Sequence, residues 1–261
     1  MKINSEKELY ELLEEKYYEY CNPFFIETDP ISIPHKFNKK EDIEISGFFS
    51  STIAWGQRKT IIANATKLMN FFDNSPYQFI IQHNENDLKK LQSFVHRTFN
   101  GDDCIYFVES LKNIYDKYNG LENVFSDIFR QNNDMFATIS RFNNIFFSLP
   151  HLKRTEKHIS NPEKGSAAKR INMFLRWMVR NDNRGVDFGL WKKIPVSALL
   201  CPLDLHSANT ARKLGIISRK QNDRKTVEEL MITLRKFDKN DPVKYDFALF
   251  GIGAFEKNNR I

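Results

Sequence analysis

At 261 residues, with 41% hydrophobic and 28% charged side chains, the chain has the composition of a soluble globular protein and length for one large domain or two small ones. No run approaches the roughly 18 apolar residues of a membrane span, and the N-terminal MKINSEKELYELLEEKYYEY lacks an apolar signal core, so the reading is a cytoplasmic protein with no membrane partner. Net charge is +6 but uneven, with 23 Lys/Arg against 12 Asp/Glu in residues 151–261 and 16 against 21 in residues 1–150; the basic half is either a solvated surface or a face for a polyanion.

In chain order, Ser5-Glu6-Lys7-Glu8 reads as a capping box ahead of a helix with Leu9, Leu12 and Leu13 on one face. ETDPISIPHKF, with two prolines, reads as an irregular connection. Apolar residues recur at helical spacing from Ile43 to Phe72, with a break at Trp55-Gly56-Gln57. Further helices are predicted over Asp87–Arg97, Cys104–Tyr118, Leu121–Gln131 and Met135–Phe147. HLKRTEKHISNPEKGS is a basic loop, after which Ser166 is placed to cap a helix from Ala167 to about Arg180. Thr226 to Glu229 reads as a second capping box, and Asp241-Pro242 as a cap and first-turn proline before a helix over Val243–Phe250. No alternating strand run is convincing. The fold expected is all-α, a single helical domain over 1–261 with sub-lobes at about 43–150 and about 151–261 plus the N-terminal helix.

Cys21, Cys104 and Cys201 are far apart and odd in number, which argues against a disulfide framework, a zinc ribbon or a four-cysteine cluster and for buried apolar thiols. The histidines have no zinc-ligand spacing; His206 reads as a packing residue, and no metal or cofactor is expected. Asp246, in KYDFALFG, reads as a structural salt-bridge residue.

Two stretches point to chemistry. In the helix after Ser166, Lys169, Met173, Arg176 and Arg180 share one face, a basic stripe beginning in the first turn. A first-turn lysine opposes the positive helix end, a local cost that hints at a role beyond folding. In LLCPLDLHSANTARKLGII, Asp204 is a good N-cap for a helix that Gly215 ends. Capping is the commoner role for such a residue, and it is compatible with catalysis, because backbone N–H groups then hold the carboxylate at a fixed spot.

GSAAKRINMF followed by CPLDLHSANTARKLG resembles the core of the helix–hairpin–helix DNA glycosylase superfamily. There a glycine-rich hairpin leads into a helix with a first-turn lysine, and a later segment supplies a catalytic aspartate; Lys169 and Asp204 match those positions. SSTIAWGQRKTIIANATKLMNFF resembles the superfamily's first core helix and turn, where a polar residue fills the gap left by a flipped nucleotide, and Gln57 matches it. The layout is most similar to the archaeal 8-oxoguanine glycosylases. GSAAKRINMFLRWMVR, VDFGLW, PLDLH and DPVKYDFALFG are similar to an uncharacterised bacterial family across nearly the whole chain. The hairpin departs from the superfamily pattern: it keeps Gly165 but has Ala167 where a second glycine is expected, so phosphate would be held with Lys164 and the Ser166 hydroxyl. The insert Asn181–Pro202 reads as a pocket wall or a structural plug.

The resemblance implies two helical lobes with a cleft between them and a glycosylase that excises an oxidised purine from duplex DNA as a monomer, with a lyase step where the lysine attacks C1′. Lys169 and Asp204 would be catalytic, the aspartate stabilising positive charge on the sugar. Gln57 would be the wedge, with Trp177, Phe188 and Trp191 stacking the base. Lys164, Gly165, Ser166, Arg170, Arg176, Arg212 and Lys213 would hold the DNA backbone, with Arg219 and Lys220 as further candidates. The alternative is a non-catalytic nucleic-acid-binding protein that keeps the fold; a third reading is a helical protein that binds a nucleotide, nucleoside or protein partner.

Overall fold

The computed structural model describes residues 5–256. Its helices, in chain order, are α1 (Glu6–Tyr20), α2 (Phe24–Glu27), α3 (Lys40–Thr52), α4 (Arg58–Phe71), α5 (Pro76–Gln82), α6 (Glu85–Leu91), α7 (Gly101–Tyr118), α8 (Leu121–Asn132), α9 (Met135–Phe146), α10 (Lys169–Val179), α11 (Leu205–Lys213), α12 (Arg224–Phe237) and α13 (Tyr245–Phe255). The sheet among the described residues is one two-residue antiparallel pair, β1 (Val95–His96) with β2 (Phe99–Asn100). The protein is all-α, as the apolar spacing predicts, and its three cysteines are buried and unbridged.

Several boundaries differ from expectation for local reasons. The helix predicted over Asp87–Arg97 stops at Leu91, and Arg97 takes a left-handed turn (φ 56°) between the two short strands. The Thr226–Glu229 box does not start α12: Asp223 caps it by accepting from Thr226 N–H (2.9 Å), and Glu229 accepts instead from Ser218 N–H (2.7 Å). Asp241 turns its carboxylate to Arg180, Pro242 opens a 3-10 turn, and α13 begins only at Tyr245.

The chain forms two compact units, Ile26–Asn161 and the segment up to Phe25 together with the chain from Pro162 onward. In the Ile26–Asn161 unit, a phenylalanine cluster forms the core: Phe48 contacts Phe107, Phe142 and Phe146, and Phe142 stacks on Phe125 at 4.1 Å. Such pairs are the main use the chain makes of its 23 phenylalanines. Part of the predicted basic loop becomes a 3-10 turn, Lys153–His158. It is fastened to buried Asp103 by Thr155 Oγ1 (2.8 Å), Arg154 Nη1 (2.9 Å) and His158 Nε2 (3.2 Å).

In the other unit, α13 packs against α1 and α11. Gly253 permits the close approach of α11, because a Cβ there would lie 2.7 Å from Thr210 Oγ1 and 2.8 Å from His206 O. Every residue of α10 from Ile171 onward is buried. The 181–202 insert is why: Phe188 N–H donates to Trp177 O (2.8 Å), Trp191 N–H to Met178 O (2.9 Å), and the Trp191 ring meets Phe174 edge-on at 5.4 Å. The insert packs over α10.

Candidate active site around Lys169 and Asp204

The hairpin ahead of α10 holds two left-handed residues, Gly165 (φ 83°) and Ala168 (φ 48°). Glycine takes this conformation at no steric cost; alanine does not. Ala168 is pinned from both sides. Its N–H donates to Ser166 Oγ (3.1 Å), its carbonyl accepts from Asn172 N–H (3.0 Å), and Asn172 Nδ2 donates to Ala167 O (3.0 Å). The helix therefore starts at Lys169, two residues later than predicted, and Ser166 braces the hairpin instead of capping the helix. Arg224 N–H donates to Gly165 O (2.9 Å), which ties the hairpin to the cap of α12.

Lys169 is the first helical residue, and its Nζ lies 4.0 Å from Asp204 Oδ2. The lysine side chain is 32% exposed and the aspartate 15%. Asp204 is the N-cap of α11, as expected: its Oδ1 accepts from Ser207 N–H (2.8 Å), which leaves Oδ2 for Lys169. Two segments 35 residues apart in sequence thus bring an amine and a carboxylate together at a surface that solvent reaches.

Behind this pair lies a polar network that spacing alone did not reveal. Ser207 Oγ donates to Asp246 Oδ1 (3.1 Å), and Asp246 Oδ2 accepts from Arg176 Nη1. Arg176 Nε donates to Asp187 Oδ1 (3.3 Å). Arg180 continues the chain to Asp187 (3.0 Å), Asp182 (2.6 Å), Asp241 (2.9 Å) and the Tyr17 hydroxyl (3.0 Å). Burial pushes the Asp246 carboxyl up to about 6; Arg176 opposes this, the Asp204 charge adds to it, and Ser207 and Lys169 oppose it. Asp246 is structural, as its sequence context predicts, and it also abuts the candidate site.

Several sequence-predicted site residues are corrected. Arg176 and Arg180 do not form an exposed basic stripe; both are buried, Arg176 is spent on Asp187 and Asp246, and it has no access to a phosphate. Trp177 and Trp191 are core residues, 0% and 1% exposed, and cannot stack a flipped base. Arg212 donates to the carbonyls of Arg219, Lys220 and Gln221 and to Asn222 Oδ1, so it builds the 219–222 loop. Arg170 is half-buried, and burial lowers its guanidinium to about 10. Lys164, Gly165, Lys213 and Lys220 are exposed, and Ser166, Phe188 and Arg219 are intermediate. Arg219 is held by Asp223 (2.7 Å). His206 packs, as expected, donating from Nδ1 to Gly253 O (3.1 Å) and meeting Phe250 edge-on. Gln57 belongs to the other unit, exposed at the turn that opens α4. Among the described residues no group of three or more His, Cys, Asp or Glu side chains is arranged to hold a metal ion, and no helix is long and apolar enough to cross a membrane.

A family model described as "Protein of unknown function (DUF2400)" matches residues 29–255. No curated protein and no solved structure matches the chain.

Proposed function

We propose, for a chain that belongs to the DUF2400 family of proteins of unknown function, that it is a DNA glycosylase acting on an oxidised purine, with Lys169 and Asp204 as its catalytic pair. The observation that carries the reading is the approach of Lys169 Nζ to Asp204 Oδ2 at 4.0 Å, both part-exposed, with the carboxylate fixed by the N-terminus of α11. The resemblance of GSAAKRINMF and PLDLH to the helix–hairpin–helix glycosylases suggests the reaction class, and the proximity of Lys169 to Asp204 supports the roles proposed for them.

In this reading the free-base amine of Lys169 forms a bond to C1′ of the extruded nucleotide as the C1′–N bond to the base breaks. The electron pair of the broken bond leaves with the base. Asp204 Oδ2 takes the proton that the new ammonium sheds and stabilises the positive charge on the sugar while the bond exchange is under way. The protonated carboxyl then returns that proton to the departing base. The resulting glycosylamine opens to a Schiff base as its C1′–O4′ bond breaks and O4′ takes a proton from water, and β-elimination from that Schiff base can then cut the strand. Phe188 remains the aromatic candidate beside the base, and Lys164, Ser166, Lys213 and Lys220 the candidates for backbone phosphates.

A second reading, a non-catalytic nucleic-acid-binding protein, is favoured by the hairpin: an alanine occupies a left-handed position, and Arg176 and Arg212 serve internal bonds. One experiment separates the two. The protein is incubated with duplexes carrying 8-oxoguanine, other oxidised purines or an abasic site, then with borohydride. The glycosylase reading expects base release and a covalent adduct that Lys169→Ala abolishes. Duplex binding with no release and no adduct on any substrate supports the second reading and rejects the first.

A further inference from the structure

We propose that Asp246 is a positioning residue for the Lys169–Asp204 pair and acts on it through Ser207. What the pair does rests on the glycosylase reading; that Asp246 governs the pair rests on the contacts themselves.

Ser207 serves both carboxyl groups. Its backbone N–H holds Asp204 Oδ1 at 2.8 Å, and its hydroxyl reaches Asp246 Oδ1 at 3.1 Å. The first turn of α11, which sets where Asp204 points, is therefore tied from behind to α13. Asp246 is in turn fixed by Arg176, and Arg176 by Asp187. A helix cap needs none of this: an aspartate and one N–H suffice. A buried carboxyl with a cation partner, placed behind a second carboxyl that faces solvent, is the kind of support that holds a reacting group in one geometry.

The groups that face Asp246 are few. Arg176 and Lys169 come from α10, Asp204 and Ser207 from the start of α11, and the Cys201 thiol, 3.6 Å from Oδ1, from the segment before it. From α1, Glu14 bonds Tyr245 and Lys244, while Lys16 and Tyr20 bond Glu256, at the two ends of α13. When Asp246 is ionised, it commits the Ser207 hydroxyl hydrogen and sets a negative charge behind the site of the cationic sugar. When it is protonated, the charge is lost and the bond from Ser207 is weakened. Burial puts that change at about pH 6, inside the range where an enzyme would work.

The test uses the full chain, labelled with carbon-13 at aspartate carboxyls, in the wild type, Ser207→Ala and Asp246→Asn. In the wild type the Asp204 resonance should show a second inflection near pH 6 that coincides with the titration of Asp246. Asp246→Asn should erase that inflection. Ser207→Ala removes a hydrogen bond to the charged form, so the Asp246 titration should move to higher pH and its echo at Asp204 should shrink. The same variants are assayed for borohydride trapping on abasic DNA across pH 5–8. The wild-type rate should rise through about pH 6; Ser207→Ala should move that limb upward, and Asp246→Asn should flatten it. An Asp204 resonance blind to Asp246, or a trapping limb unmoved by either variant, overturns the proposal. A wild type that traps nothing rejects the glycosylase reading, and the carboxyl titrations then decide the proposal alone.

Discussion

Lys169 Nζ and Asp204 Oδ2 stand 4.0 Å apart while the other oxygen of the same carboxylate, Oδ1, is bound to Ser207 N–H at 2.8 Å. The two oxygens have separate duties. Oδ1 anchors the side chain to its helix, and Oδ2 faces the amine. A helix cap and a carboxylate oxygen directed at Lys169 thus coexist in one residue without competing for the same atom.

This division makes Asp204→Asn informative. Asparagine caps as well as aspartate, whereas alanine costs about 1 kcal/mol. Asp204→Asn should unfold in urea at nearly the wild-type midpoint, and Asp204→Ala slightly earlier. Strand cleavage in Asp204→Asn should fall by roughly a hundredfold or more, because its neutral amide cannot stabilise a cationic sugar. Unchanged cleavage would return Asp204 to capping alone.

Ala168 offers a test of hairpin strain. Its φ of 48° is unfavourable for any residue with a Cβ, and bonds from Ser166 and Asn172 brace the hairpin around it. Ala168→Gly should raise the unfolding free energy by about 1 kcal/mol, since glycine meets no Cβ penalty in this region. A destabilised variant in the same urea titration would show that the alanine methyl contributes packing that outweighs the strain.

Much of this was legible in the sequence and some was not, for definable reasons. Asp204 as a cap, the break at Trp55–Gln57 and the helices from Cys104 to Phe146 follow from local chemistry, so they could be read along the chain. The fate of Arg176 could not. Its spacing from Lys169 puts both on one helical face, and spacing carries no information about which face a distant segment covers. That segment is the 181–202 insert, and its Asp187 turns an apparent basic stripe into an internal ion-pair chain. The composition nonetheless held a signal: Asp182, Asp187, Asp241 and Asp246 are acids in a strongly basic half, and each meets Arg176 or Arg180. Trp177, on the side of α10 that is enclosed, and Trp191, in the insert itself, failed as base-stacking candidates for the same reason: both are buried where the insert packs on α10.

Arg180 should accordingly be a stability residue. It is 0% exposed, and it satisfies Asp182, Asp187 and Asp241 at once. Arg180→Met leaves Asp182 and Asp241 without this cation and Asp187 with Arg176 alone, and should cost about 3–5 kcal/mol. Lys213→Met, at an exposed position, should change stability by less than about 0.5 kcal/mol. Comparable urea midpoints for the two variants would contradict the network.

Arg212 and Lys213 are neighbours with different expected effects on duplex binding. Lys213 is exposed and free to meet a phosphate, so Lys213→Ala should lower the slope of log affinity against log salt by about 0.9, one counterion's worth. Arg212 bonds the 219–222 loop, so Arg212→Ala should act by loosening that loop and should raise its amide exchange rates before it changes affinity. A salt slope unaltered in Lys213→Ala would remove that lysine from the proposed nucleic-acid face.

Two buried carboxyls should give stability opposite dependences on pH. Burial raises Asp103, but the bonds from His158, Asn100 N–H and Thr155 outweigh it and bring the group down to about 2. Its folded value lies below the unfolded one of about 3.9, so its contribution is present above pH 4 and is lost as pH falls toward 2. Asp103→Asn should therefore cost roughly 2 kcal/mol at pH 7, with the deficit closing in acid. Asp246 behaves in reverse. Burial lifts it to about 6, so the folded protein holds the proton more tightly than the unfolded chain, and stability is lost as pH rises through that value. Asparagine resembles the protonated form. Asp246→Asn removes the titrating group, so its stability relative to the wild type should rise between pH 4 and pH 7, on top of a pH-independent loss from leaving buried Arg176 without this partner. Urea unfolding of both variants at pH 4, 5.5 and 7 measures the two differences. A gap between Asp246→Asn and the wild type that stays constant across that range would mean that Asp246 carries the same charge throughout.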